Sequence, residues 1–161
     1  MNYKKLLIQH IFVFFIMLLA ACDNNGPPGE GMQVSETGSN DTQQQPVDPD
    51  LSTTRMSAGE LYRVSISSEL EPLELNRLHG WTVHVETAHG NLVEDAEISV
   101  SGGMPEHNHG FPTAPRVTEY LGNGDYSMQG VRFSMPGWWE MHLKIMADGQ
   151  SDEVVFNLIL P

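Results

Sequence analysis

The chain has 161 residues, 40% of them hydrophobic, enough for one domain with one core once its terminal segments are set aside. Twenty-one acidic residues stand against eight basic ones, a formal charge of −13, and every acid lies after Cys22. That surface argues against nucleic acid and against electrostatic docking on anionic lipid, and a single cysteine excludes an intrachain disulfide.

Residues 1–22 read as an export signal. Lys4 and Lys5 form a basic head, Ile11–Leu19 is uninterrupted apolar sequence, and small residues follow. The apolar run is too short for a membrane-spanning helix, which needs about 20 residues. Leu19-Ala20-Ala21-Cys22 resembles the lipobox of bacterial lipoproteins, in which the cysteine is lipidated and becomes the mature N-terminus. Cys22 is then an anchoring atom, and the protein is extracytoplasmic and held at the cell membrane. Asp23 resembles the retention signal that keeps such proteins on the periplasmic face of the inner membrane in an enteric-type envelope.

Residues 23–57 are rich in Gly, Pro, Asn, Gln, Ser, Thr and Asp and contain no aromatic residue. Such composition cannot bury enough apolar surface to offset its ordering entropy, so the stretch is expected to be a disordered tether. Random-coil scaling gives it a span of roughly 30–35 Å.

Residues 58–161 carry a period of two. Tyr62, Val64 and Ile66 alternate with polar residues, as do Trp81, Val83 and Val85, and Ile98 and Val100 form a shorter strand. Val117–Tyr120 precedes the turn sequence Leu121-Gly122-Asn123-Gly124-Asp125. Tyr126 and Met128 share a face, but beyond Gly130 the apolar phase slips by one to Val131 and Phe133, as a bulge or corner would cause. Trp139, Met141, Leu143 and Ile145 alternate with Trp138, Glu140, His142 and Lys144. Ala147-Asp148-Gly149-Gln150 is a turn, and Val154–Leu160 is a nearly continuous apolar strand. About seven short strands separated by turns predict an all-β, immunoglobulin-like antiparallel sandwich.

Gly102–Arg116 is then the longest connection, and Pro105, Pro112 and Pro115 bar it from a regular helix or central strand. It contains Met104-Pro105-Glu106-His107-Asn108-His109, and Met135-Pro136-Gly137 forms a second turn before the Trp139 strand. On extended backbone His107 and His109 project to one side, whereas Met104 joins them only if the chain turns at Pro105. Imidazole accepts copper, zinc, nickel or iron, and thioether sulfur favours Cu(I). A solvated turn would have the same residue types, since Gly, Pro and Asn are turn formers. His84 and His142 fall on the polar phase of their strands, and His142 is the better further candidate ligand because its strand follows Met135. His79 and His89 sit beside glycines at strand ends and are expected to be turn residues. Trp81 and Trp139 are expected in the core, with Trp138 pointing the other way, where it covers a site, supports a partner or simply lies exposed.

No Gly-x-Ser-x-Gly elbow, phosphate-binding Gly-rich loop or His-Glu-x-x-His motif occurs, and no enzyme activity is expected. The blocks Met104-Pro105-x-His107-x-His109-Gly110, Pro112-Thr113, Gly124-Asp125-Tyr126 and Phe133-x-Met135-Pro136-Gly137-x-Trp139 together resemble the YtkA-like domain family. That family is related to the FixH proteins associated with cytochrome oxidase assembly. The resemblance implies a small extracytoplasmic β-sandwich, and the FixH connection implies copper, with Met104, His107, His109 and Met135 as ligands. Cu(I) is the favoured ion and a copper-exchange protein the partner. The rival is a metal-free module that presents the Pro-rich loop and Trp138 to an envelope protein. Unlike FixH, this chain has a lipobox and a long tether in place of a retained membrane helix.

Overall fold

The computed structural model describes residues 44–161; the signal segment, Cys22 and most of the expected tether lie outside the described residues. Nine strands follow in chain order: β1 (Thr54–Met56), β2 (Tyr62–Ser68), β3 (His79–Thr87), β4 (Glu97–Met104), β5 (His109–Gly110), β6 (Arg116–Gly122), β7 (Asp125–Val131), β8 (Gly137–Ala147) and β9 (Gln150–Leu160). They form two antiparallel sheets, one ordered β1-β2-β3-β7-β6 and the other β5-β4-β8-β9. The expected antiparallel sandwich is therefore what the chain forms.

Alternation decides which face of each strand turns inward. Val64, Val83 and Val85 from the first sheet meet Trp139, Met141, Leu143 and Ile145 from the second, all fully buried. A buried aliphatic or aromatic side chain of this kind contributes about 1.5–3 kcal/mol. Two turn chemistries hold the register. Asp148 and Gly149 both have positive φ (51° and 73°) between the paired Ala147 and Gln150, the two-residue turn whose twist suits a hairpin. At Gly130 (φ 88°) the pairing of β3 with β7 slips between His79↔Val131 and Trp81↔Met128, the bulge the phase shift predicts.

The structure corrects three expectations. Among the described residues there are nine strands where the period-two pattern suggests about seven, because β1 and β5 are too short to show a period. Order also begins before residue 58: β1 pairs with β2, and the chain ahead of it is pinned to the second sheet. There Asn157 Nδ2 donates to the Asp50 carbonyl at 3.1 Å, Arg55 pairs with Asp50 at 3.4 Å, and the Arg55 guanidinium also reaches the Val155 carbonyl. Finally, Trp138 is only 2% exposed and its Nε1–H donates to Asn157 Oδ1 at 2.9 Å. Although it faces away from the main core, it is not available to a partner.

Candidate metal centre

β4 and β5 close a tight hairpin in place of an irregular loop. Pro105–His107 forms a single 3-10 turn, and Asn108, in the left-handed region at φ 50°, reverses the chain. Asn108 N–H donates to the Pro105 carbonyl at 3.2 Å and Phe111 N–H to the Gly102 carbonyl at 3.1 Å. Proline suits the first position, where no N–H is needed, and asparagine tolerates the left-handed conformation. The two glycines are required by close approach. A Cβ on Gly102 would lie 2.1 Å from the Glu140 carbonyl oxygen, and one on Gly103 would lie 2.1 Å from that of His109.

This turn brings Met104 into the site. The hairpin register pairs Met104 with His109 and Gly103 with Gly110. Directly paired residues share a face, with Cβ atoms roughly 4.5–5.5 Å apart. The rings of His107 and His109 stack with centroids 6.0 Å apart, and both residues are exposed. The His109 Nδ1–H donates to the Gly110 carbonyl at 3.0 Å, which leaves the Nε2 lone pair free for a ligand.

The second turn meets the hairpin through Trp139. His109 lies edge-on to the Trp139 ring at 5.8 Å, and the Trp139 Nε1–H donates to the Met135 carbonyl at 3.1 Å. Phe111 stacks on the same indole at 5.7 Å, and Phe133 packs against it at 5.2 Å. The Met104 methyl lies 3.2 Å from where a Cβ on Gly137 would sit. Of the four expected ligands, His109 touches Trp139 and the Met135 backbone is hydrogen-bonded to it, while His107 stacks on His109 and the Met104 methyl lies beside Gly137; they are unequally accessible. Met135 is 38% exposed, whereas Met104 is 1% exposed and belongs to the core, so it could close a site only from inside.

The donor set limits what this site could hold. Among the described residues no three His, Cys, Asp or Glu side chains are arranged to hold a metal ion. Two imidazoles and two thioethers form a soft to borderline set that suits Cu(I) better than a hard cation. A hollow of ≈ 800 Å³ lies at the opposite end of the sandwich, beside Glu60, Glu94, Asp95 and Asp148, and contains none of these donors.

The other histidines divide by environment. His79 is buried, with Nδ1 against the Arg77 carbonyl at 3.0 Å, and is a core residue and not a turn residue. His84 lies between Asp125 (2.6 Å) and Glu86 (3.4 Å) on the outer face of the first sheet. His142 lies between Glu140 (2.9 Å) and Glu153 (3.0 Å) on the outer face of the second. Glu140 and His142 adjoin the hairpin, lining a hollow of ≈ 270 Å³ with Met104, His109, Asn108 and the glycines of the hairpin. The i, i+2 placement of Glu140 and His142 was readable in the sequence, but their proximity to the hairpin depends on the pairing of β4 with β8.

A family model described as YtkA-like matches residues 56–144. None of the curated proteins matches the chain. Among solved structures, the ZirS C-terminal Domain is similar over 88% of this chain and 86% of that one, at 14% identity and a TM-score of 0.35. The family match covers β2 to β4, the hairpin, the Met135 turn and most of β8, and on that basis the chain belongs to the YtkA-like family.

Proposed function

We propose that this protein is a lipid-anchored, extracytoplasmic copper carrier that binds one Cu(I) through His107, His109, Met135 and Met104. One observation supports the reading above the others. Trp139 packs against the His109 ring and donates to the Met135 carbonyl, so a single rigid residue fixes two ligand loops far apart in sequence. Preorganisation of that kind is what a binding site needs from its supporting residues.

His107 and His109 would supply the accessible imidazoles, Met135 an accessible thioether, and Met104 a thioether from the core side. Copper bound by the exposed imidazoles would be open to a docking partner, which suits transfer between proteins. Cys22 and the tether would keep the domain near the membrane surface while leaving it free to turn. No substrate turnover is part of this reading.

The test is an anaerobic Cu(I) titration of the full chain, without a polyhistidine tag, against a competing chelator. His107→Ala and His109→Ala should each weaken binding about tenfold or more, that is by about 1.4 kcal/mol or more. Met135→Leu and Met104→Leu should weaken it less, and both keep side-chain volume so that packing is spared. Wild type binding no tighter than the double-histidine variant, or preferring Zn(II) with no dependence on methionine, would refute the carrier reading.

A further inference from the structure

The outer face of the second sheet contains an imidazole between two carboxylates. His142 Nδ1 lies 3.0 Å from Glu153 Oε1, and His142 Nε2 lies 2.9 Å from Glu140 Oε2. A neutral imidazole has one N–H, and an ionised carboxylate has only acceptors. With Nδ1–H given to Glu153, Nε2 meets the Glu140 carboxylate either as a second N–H or as a lone pair beside a shared cation. A metal ion bound by Nε2 and Glu140 takes the place of that second proton. The arrangement of carboxylate, then imidazole, then a free Nε2 is also the one by which proteins orient histidine towards a metal.

The surroundings have room for an ion with its water. Glu140 and His142 line the ≈ 270 Å³ hollow with Met104, Pro105, Asn108 and His109, and Gly102, Gly103 and Gly110 contribute no side chain to fill it. The His142 side chain is 31% exposed and that of Glu140 is 18% exposed, so both can be reached. No Lys or Arg lines this hollow.

We infer that His142 Nε2 and the Glu140 carboxylate bind a borderline divalent transition-metal cation, Cu(II) or Zn(II), with Glu153 as the orienting partner and water completing the shell. Imidazole with carboxylate is a harder donor set than imidazole with thioether. This site therefore differs in kind from the one proposed at His107, His109, Met104 and Met135, and it does not depend on that proposal. The two share one hairpin, and Met104 and His109 also line the hollow, but the strand phases differ: Met104 and Trp139 turn inward, while Glu140 and His142 are on the outward phase of β8.

The test is aerobic titration of the full chain, without a polyhistidine tag, with Cu(II) and with Zn(II), together with paramagnetic resonance of the Cu(II) form. Glu140→Gln and His142→Gln should each lower affinity about tenfold or more, and Glu153→Gln about tenfold, the usual loss for an orienting partner. These exposed, outward-facing substitutions leave the core intact, and His107→Ala/His109→Ala should retain this component of Cu(II) binding. In wild type, substoichiometric Cu(II) should broaden the amide signals of Gly103, His142 and Glu153 first. Divalent binding unchanged in Glu140→Gln and His142→Gln, absent altogether, or lost only with the two hairpin histidines would overturn the inference. Failure of Cu(I) binding with this pattern intact would remove the carrier proposal and leave this one standing.

Discussion

Asp152, near the start of β9, holds the turn between β1 and β2. It accepts hydrogen bonds from Ser57 Oγ at 2.6 Å, Gly59 N–H at 3.0 Å and Leu61 N–H at 3.2 Å. Burial pushes its carboxyl upward, but these bonds outweigh burial and hold it below the usual carboxylate value. Its contribution to stability is therefore present above the unfolded-state value and lost as pH falls through the folded one. His84 runs the opposite way. Burial lowers its pKa, but hydrogen bonds and charge from Asp125 and Glu86 outweigh that and raise it. Its contribution is full below the unfolded value of about 6.5 and is lost as pH rises through the folded one. Urea midpoints should therefore show Asp152→Asn converging on wild type in acid, and His84→Gln converging on it in alkali. Differences from wild type that stay constant with pH would contradict both assignments.

Within the hairpin, the two consecutive glycines matter more than the residues that bear ligands. A methyl on Gly103 meets backbone at 2.1 Å, which no side-chain rotation can relieve. Gly103→Ala should cost about 1–3 kcal/mol, the usual penalty for overpacking, and open the Met104–His109 pair. Thermal melts would show the loss, and faster hydrogen exchange at the Phe111 amide, which donates to Gly102, would locate it. An unchanged Phe111 amide would mean that the hairpin tolerates the methyl. Legibility in the sequence varied with element length. The eleven-residue β8 shows five alternations and was plain, as was the Asp148-Gly149 turn. β5 has two residues and β1 has three with no buried apolar side chain, so neither leaves a period to read. Pro105 and Asn108 did mark a turn, but not that it would pair Met104 with His109.

Across the whole molecule, the features that define the candidate site come from pairings distant in sequence. Trp139 was readable as a core anchor, because it leads the alternation of β8. Its hydrogen bond to Met135 and its contact with His109 follow from the register that sets Gly103 beside Glu140. Trp138 shows the limit from the other side. Its outward phase implied exposure, yet Asn157 binds its N–H and also holds the Asp50 carbonyl of the incoming chain, which leaves it 2% exposed. Such a meeting of chain ends has no local signature. The central claim, that a mixed imidazole and thioether set gathered by Trp139 binds Cu(I), is tested most directly by X-ray absorption on the Cu(I)-loaded full chain. The first shell should contain both nitrogen and sulfur scatterers, with the sulfur contribution reduced in Met135→Leu. A shell of nitrogen and oxygen alone, identical in wild type and Met135→Leu, would contradict it.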